Sequence, residues 1–114
     1  MKYLLLNCMN ETAMLNLPKE EAGRMHADYL AYVEAMRQAG VLLANHGLQP
    51  TSRAATVRVS DDEPIIVDGP FAETKEQLGG YFLIDVPDRE AALSWAARCP
   101  GARRGSVEVR PVWE

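Results

Sequence analysis

Apolar residues recur at helical spacing in two segments of the chain. In the segment Pro18–Ala39 they come at every third or fourth position, namely at Ala22, Met25, Tyr29, Val33 and Met36. This spacing predicts a helix with one apolar face, which begins at its proline and ends before Gly40. The second predicted helix is the segment Arg89–Arg98, for which Asp88 is placed to cap the first turn. Its apolar stripe consists of Ala92, Trp95, Ala96 and Cys99.

Shorter segments with strand-like patterns occupy most of the remaining sequence. Short apolar runs or two-residue alternation predict six β-strands, at residues 2–9, 41–49, 55–60, 65–67, 81–86 and 105–112. In the second of these segments, the alternation places Leu42, Ala44 and His46 on one face. Residues 10–17 are predicted to be a polar connection, and the acidic residues 61–64 to be the turn of a hairpin.

The order of these elements predicts an α+β fold. Strand, helix, strand, hairpin, strand, helix and strand follow one another, which is the ferredoxin-like (split βαβ) plan with an inserted β-hairpin. The plan has an antiparallel sheet with both helices on one face. Because residues 2–9 and 81–86 are apolar on both sides, the second face of the sheet is left apolar and uncovered. We therefore predict a homodimer in which two such faces meet and enclose a pocket.

The composition is that of one globular domain spanning residues 1–114, with 47% hydrophobic and 25% charged residues. The formal net charge is −4 without any basic block, which argues against nucleic acid as a partner. The apolar N-terminus is too short for a membrane helix and no signal cleavage site follows it, so a cytoplasmic location without membrane contact is expected. Cys8 and Cys99 are expected to be free thiols.

No metal or cofactor is expected from the sequence. The chain has only two histidines, His26 and His46, and neither has a clear carboxylate at ligand spacing. Gly79 and Gly80 lack the pattern and the following helix of a phosphate-binding loop.

The segment Asp68–Tyr81 is the densest cluster of charge and turn residues in the chain. It begins with Asp-Gly-Pro, which is typical of a turn, and holds four ionisable side chains within nine residues. A hairpin needs only two to five connecting residues, so we expect this longer segment to form part of a site. Phe71 either anchors the loop in the core or stacks on a ligand. Glu73 and Lys75 are either solvated charges or ligand contacts.

Residues 68–76, followed by Gly79, Gly80 and Tyr81, resemble the signature of the DGPF-domain proteins, a branch of the YCII-related superfamily. Residues 95–100 and 107–112 match as well, so the resemblance spans nearly the whole chain. It implies a dimeric α+β barrel of ferredoxin-like protomers. It implies little about activity: some relatives are encoded beside alternative sigma factors, and one branch includes a dehydrochlorinase of a chlorinated aromatic diol.

The resemblance also implies a pair of site residues. The superfamily pairs a His near the start of the first helix with an Asp before the Pro that follows the second helix. His26 falls on the His position, whereas Cys99 stands where the Asp would be, and Asp68 is the alternative carboxylate. At about 100° per residue, His26 lies within about 40° of Ala22 and Val33 on the helix. We therefore expect it to face the sheet, either as a general base or as a core histidine.

Four side chains have two interpretations each. The carboxylate of Asp68 either caps the backbone amides of its own turn or orients His26 in a site. His46 is either buried or lines the pocket. Arg110 and Glu108 share a strand face, where they either form an ion pair at an interface or line the pocket.

Three hypotheses about function follow. The first is a cofactor-independent acid/base enzyme that acts on a small organic molecule, with His26 as the base and Asp68 as its partner. The second is a module that binds a small molecule or regulates transcription with a partner, without catalysis. The third is a structural dimer without a ligand. A histidine–carboxylate pair in a pocket favours the first, a purely apolar pocket favours the second, and no pocket favours the third.

Overall fold

The chain forms six strands and three helices, and the computed structural model describes all of residues 1–114. The strands are β1 (Lys2–Met9), β2 (Leu42–Gly47), β3 (Ala55–Ser60), β4 (Glu63–Asp68), β5 (Gln77–Asp85) and β6 (Ser106–Pro111). The helices are α1 (Glu11–Leu15), α2 (Lys19–Gln38) and α3 (Arg89–Arg98), and short 3₁₀ turns occupy Thr51–Arg53 and Pro100–Arg103. The α+β class is thereby confirmed.

Four of the strands form one antiparallel sheet in the order β2-β5-β1-β6. The first strand therefore lies inside the sheet, between two strands that come much later in the sequence. The other two strands, β3 and β4, pair only with each other and form a separate hairpin. This arrangement agrees with the ferredoxin-like plan that carries an inserted hairpin.

The helices cover one face of the sheet, and the core lies between them and β1 and β5. Leu5, Met36 and Ile84 are completely buried there. The ring of Tyr32 packs edge-on against Phe82 at a centroid distance of 5.2 Å. Its hydroxyl donates to the backbone oxygen of Trp95 at 2.7 Å, so the only polar atom of this side chain is satisfied and α2 is tied to α3.

The connection after β1 differs from the prediction, because residues 11–15 form the short helix α1. The side chain of Asn10 caps this helix by accepting from the amide of Ala13 at 2.9 Å. The carboxylate of Glu11 accepts from both the amide and the hydroxyl of Thr51, at 2.7 and 2.8 Å. The cap is local, whereas the bonds of Glu11 tie the helix to a 3₁₀ turn 40 residues later. The segment has no apolar periodicity from which the helix could be predicted.

A β-bulge in β2 overturns the predicted alternation of that strand. Leu42 pairs with Ile84, whereas Ala44 pairs with Leu83, so the register shifts by one residue between them. One extra residue moves all following side chains to the opposite face. Leu42 therefore packs against the core, and His46 points to the other side of the sheet.

Strand β5 begins four residues earlier than predicted, at Gln77, so Gly79 and Gly80 belong to the strand and not to the loop before it. A side chain at Gly80 would place its Cβ only 2.9 Å from the backbone oxygen of His46. The glycine is therefore needed for close pairing with β2. Two consecutive glycines in the sequence were indistinguishable from turn residues.

Two apolar surfaces of the protomer have no partner within it. One is the sheet face opposite the helices. Leu4, Leu6 and Leu83 lie on this face, because they alternate with the core residues of their strands. The other is the hairpin, in which every residue of β4 is exposed and Ile66 keeps 67% of its accessible surface. None of the helices combines the length and the hydrophobicity that a membrane crossing needs.

Candidate functional site

A cavity of about 390 Å³ opens between α2 and one end of the sheet. Its wall consists of fourteen residues from β1, α2, β2 and β5, which are Asn7, Met9, Met25, His26, Tyr29, Leu30, Val33, Asn45, His46, Gly47, Gly79, Gly80, Tyr81 and Phe82. Its volume falls within the range of small-molecule sites, about 300–1,000 Å³. Three of these positions are glycines, which add no side chains to the wall.

Most of the wall is apolar and adaptable. Met9 and Met25 contribute thioether side chains, and Leu30, Val33 and Phe82 add branched and aromatic surface. Methionine side chains adjust to irregular shapes and make favourable contacts with aromatic rings. The wall therefore suits the body of an organic molecule better than a hydrated ion.

Asn7 and Tyr29 place a polar pair in this apolar surrounding. Asn7 is only 5% exposed, and its Nδ2 donates to the Tyr29 hydroxyl at 2.7 Å. Its Oδ1 is buried without any hydrogen-bond partner. Buried polar atoms without partners are uncommon in folded proteins and often belong to functional sites.

Burial raises the pKa of the Tyr29 hydroxyl above its ordinary value of 10.0, and the hydrogen bond from Asn7 opposes this shift. The hydroxyl is therefore protonated at neutral pH. It accepts from Asn7 and donates its own proton to no protein atom. A donor without an acceptor in the protein, on a residue that lines a cavity, is available to a ligand.

The sequence patterns do not mark Asn7 or Tyr29 as site residues. Helical spacing places Tyr29 in the apolar stripe of the helix, where it does lie. The feature of the sequence that indicates this polar pair is Asn7. It is polar, yet it follows Tyr3 and Leu5 in the row of alternate residues on the side of β1 that faces the helices. A polar side chain at such a buried position needs a hydrogen-bond partner, and the helix that packs on this side of the strand supplies it.

His26 lines the cavity, but its side chain is exposed, and its role in a site stays a prediction. The expectation that it would be hidden from solvent against the sheet is therefore wrong. His26 lies in the first half of α2, and the glycines leave no sheet side chains to cover it there. It forms no hydrogen bond with a protein carboxylate, and no Asp or Glu lines the cavity.

Asp68 lies elsewhere in the protomer, at the end of β4, where it pairs with Ala55 and is exposed. Its carboxylate does not cap the turn. The turn is held instead by Gly69, whose amide donates to Ala54 at 2.7 Å and whose carbonyl accepts from the hydroxyl of Thr56 at 2.8 Å. Gly69 has a φ of 103°, which is why glycine is required at this position.

The loop residues of the same motif are also solvent-exposed. Phe71 retains 79% of its accessible surface, so it does not anchor the loop in the core. Glu73 and Lys75 are exposed and form no ion pair within the protomer. The protomer alone thus leaves these three side chains free, and their predicted contacts with a ligand stay a prediction.

Two polar pairs lie on the sheet face opposite the helices. Nδ1 of His46 is 2.8 Å from the Tyr81 hydroxyl, and both residues also border the cavity at the sheet end. Across the sheet, Arg110 forms an ion pair with Glu108 on the same strand. His46, Glu108 and Arg110 are exposed, and Tyr81 is half-buried.

The remaining potential ligands do not form a cluster. No group of three or more His, Cys, Asp or Glu side chains is arranged to hold a metal ion. Cys8 and Cys99 are both free thiols, as predicted. Cys99 is buried at the end of α3, where burial raises its pKa above the ordinary value of 9.0, so it is an unreactive core residue.

Comparison with known proteins extends the resemblance seen in residues 68–76 to the whole sequence. The YCII-related domain family matches residues 1–114. An uncharacterized protein of Rhizobium meliloti (strain 1021) is 42% identical over 114 residues, covering 98% of this chain and 92% of that protein. Both matches extend over nearly the whole sequence, well beyond the motif. The chain therefore belongs to the YCII-related domain family.

Proposed function

We propose that this protein binds a small organic molecule in the cavity between α2 and the sheet. The observation that carries this proposal is the buried polar pair of Asn7 and Tyr29 beside the apolar side chains of the same pocket. Apolar walls with a few oriented polar groups are typical of ligand sites. The presence of a cavity speaks against a purely structural dimer, for which we expected none.

Acid/base catalysis is the second candidate function, and His26 is the residue that favours it. Its imidazole borders the same cavity as the Tyr29 hydroxyl, so a bound molecule would meet both a base and a proton donor. The proposed partner Asp68 does not line the cavity of its own protomer. In the enzyme hypothesis, the carboxylate of Asp68 therefore has to come from a second copy or after movement of the loop.

A homodimer is part of this proposal. The uncovered sheet face and the exposed hairpin both support it, because unpaired apolar surfaces of this extent usually mark an interface. In such a dimer, His46 and Arg110 would lie at or near the contact between the sheets, where Phe71, Glu73 and Lys75 are candidates to complete the site. Cytoplasmic location and a regulatory role beside a transcription factor remain proposals from composition and resemblance.

Binding can be tested by closing the cavity. Leu30 borders it and is 59% exposed, so Leu30→Trp adds volume at the mouth without entering the core. We expect wild-type protein to bind uncharged aromatic fragments in ligand-observed NMR and the variant to lose this binding. Leu93→Trp, at a position of α3 that is 39% exposed and outside the cavity, is the matched control. Equal binding by all three proteins would place the fragments elsewhere.

The catalytic hypothesis is tested by a separate measurement. In D₂O, proton–deuterium exchange at the methyl group of acetophenone reports proton abstraction beside a carbonyl. We expect wild-type protein to accelerate this exchange and His26→Asn to lose the acceleration while keeping fragment binding within about twofold, a difference of less than 0.5 kcal/mol. Exchange that His26→Asn leaves unchanged would remove the histidine from the proposed chemistry.

A further inference from the structure

The cavity contains no permanently charged side chain. Among its fourteen wall residues there is no Asp, Glu, Lys or Arg, although a quarter of the whole sequence is charged. Its two histidines, His26 and His46, carry no permanent charge. A ligand with a formal charge would therefore meet no permanently charged counter-ion in the wall, which makes its transfer from water unfavourable.

The orientation of the Asn7 amide is determined by Gly101. A Cβ added to this buried glycine would lie 2.0 Å from Oδ1 of Asn7, so the glycine hydrogen in that direction points at the oxygen. Carbon-bound hydrogens make weak but favourable contacts with oxygen acceptors. Rotating the amide by 180° would instead place the NH2 group of Asn7 against this hydrogen, a repulsive contact between two hydrogen-bearing groups.

This orientation makes the Tyr29 hydroxyl a hydrogen-bond donor. Because Nδ2 of Asn7 faces it at 2.7 Å, the tyrosine oxygen accepts from Asn7, and its own proton has no acceptor among the protein atoms. Oδ1 of Asn7 is sealed against Gly101 and offers nothing to the cavity. Asn7 thus positions Tyr29, and Tyr29 requires an acceptor from the ligand.

We infer that the ligand is an uncharged molecule whose carbonyl oxygen accepts a hydrogen bond from Tyr29, while its apolar body lies against Met25 and Phe82. A neutral ketone or amide meets both conditions. A carboxylate supplies the acceptor but also an unpaired charge, and an ammonium or amidinium ion supplies neither an acceptor nor neutrality. This inference rests on the proposed binding function and specifies the chemistry of the same site.

Three probes of nearly equal shape separate these classes: benzamide, benzoate and benzamidinium. Dissociation constants are measured by NMR titration of the complete protein, with methyl signals of Met25 and ring signals of Phe82 reporting the cavity. We expect benzamide to bind at least tenfold more tightly than either ion. Tyr29→Phe should weaken benzamide binding about tenfold, as loss of one hydrogen bond does. Tyr32→Phe, which removes a buried hydroxyl outside the cavity, should bind like wild type.

The outcomes distinguish this inference from the function on which it rests. Tighter binding of benzoate or benzamidinium at the same signals would overturn the ligand class and leave the cavity as a binding site. Benzamide binding that Tyr29→Phe leaves unchanged would also overturn it. If none of the three probes perturbed the cavity signals at millimolar concentration, the proposed binding function would fail as well.

Discussion

Gly101 shows how a single residue fixes the candidate site from outside it. The glycine lies buried in the turn after α3, where any side chain would collide with both Asn7 and Tyr29. No pattern in the sequence marks this contact, because glycines in turns are common. The close approach becomes visible only when the turn is packed against β1.

Replacing Gly101 by alanine should destabilise the protein and disturb the polar pair. The new Cβ would meet Oδ1 of Asn7 at 2.0 Å and the Tyr29 hydroxyl at 2.7 Å. Overpacking of this kind costs about 1–3 kcal/mol. Urea denaturation monitored by circular dichroism measures the change in the free energy of unfolding.

Gly23→Ala is the control for this experiment. Gly23 is inside α2, and a Cβ there would have no neighbour within 4 Å. Alanine in a helix interior is favoured over glycine by about 0.5–1 kcal/mol, so this variant should be more stable than wild type. If both variants changed stability in the same direction, the packing at Gly101 would not be the cause.

At the scale of elements, the sequence predicts those features that are determined by residues close together in the chain. The limits of α3 and its Asp88 cap were predicted correctly, because capping chemistry and apolar spacing are both local. The face of His46 and the start of β5 were predicted wrongly. Both depend on strand pairing, through a bulge in β2 and through close contact at Gly80, and neither is encoded within the strand itself.

The capping interaction of Asp88, which local sequence predicts, can be tested directly. Its Oδ1 accepts from the amide of Ala91 at 2.8 Å, in the first turn of α3. Asp88→Ala removes this bond and should lower the free energy of unfolding by about 1 kcal/mol. Asp88→Asn retains a capping oxygen and should stay close to wild type in the same denaturation measurement. A loss as large in the asparagine variant would point to the charge and not to the cap.

The hairpin of β3 and β4 is an element that the protomer does not stabilise by packing. Isolated two-stranded hairpins are marginal in water, and here Ile66 keeps 67% of its surface exposed. In the proposed homodimer, Ile66→Lys should shift the protein towards monomer in analytical ultracentrifugation while leaving the thermal stability of the protomer unchanged. Leu93→Lys serves as the control on the helical side. An unaltered association state would show that the hairpin lies outside the interface.

At the scale of the whole molecule, the buried ionisable groups make stability depend on alkaline pH. Burial raises the pKa of Cys99 above 9.0 and that of Tyr29 above 10.0. Between the unfolded and the folded pKa, the unfolded chain has lost a proton that the folded chain retains. Stability is therefore fully present below about pH 9 and falls as the pH rises further.

Urea denaturation at pH 7.5, 9 and 10.5 measures this decline. We expect the free energy of unfolding of the wild type to fall across the series. Cys99→Ala removes one of the titrating groups, so its decline should be shallower, whatever its stability at pH 7.5. If the free energy of unfolding of Cys99→Ala fell as steeply with pH as that of wild type, other groups would cause the loss of stability at alkaline pH.

The central position of β1 has a consequence for the synthesis of the protein. This strand pairs Lys2 with Asp85 and Tyr3 with Pro111, so its two neighbours are translated only near the end of the chain. Contacts between residues so distant in sequence form slowly. Until they form, the apolar strand has unpaired edges, which favour aggregation. On the ribosome, α2 can form early, but the sheet cannot close until β6 has emerged. Loss of the last strand would thus leave an edge of β1 unpaired and the nascent chain dependent on chaperones.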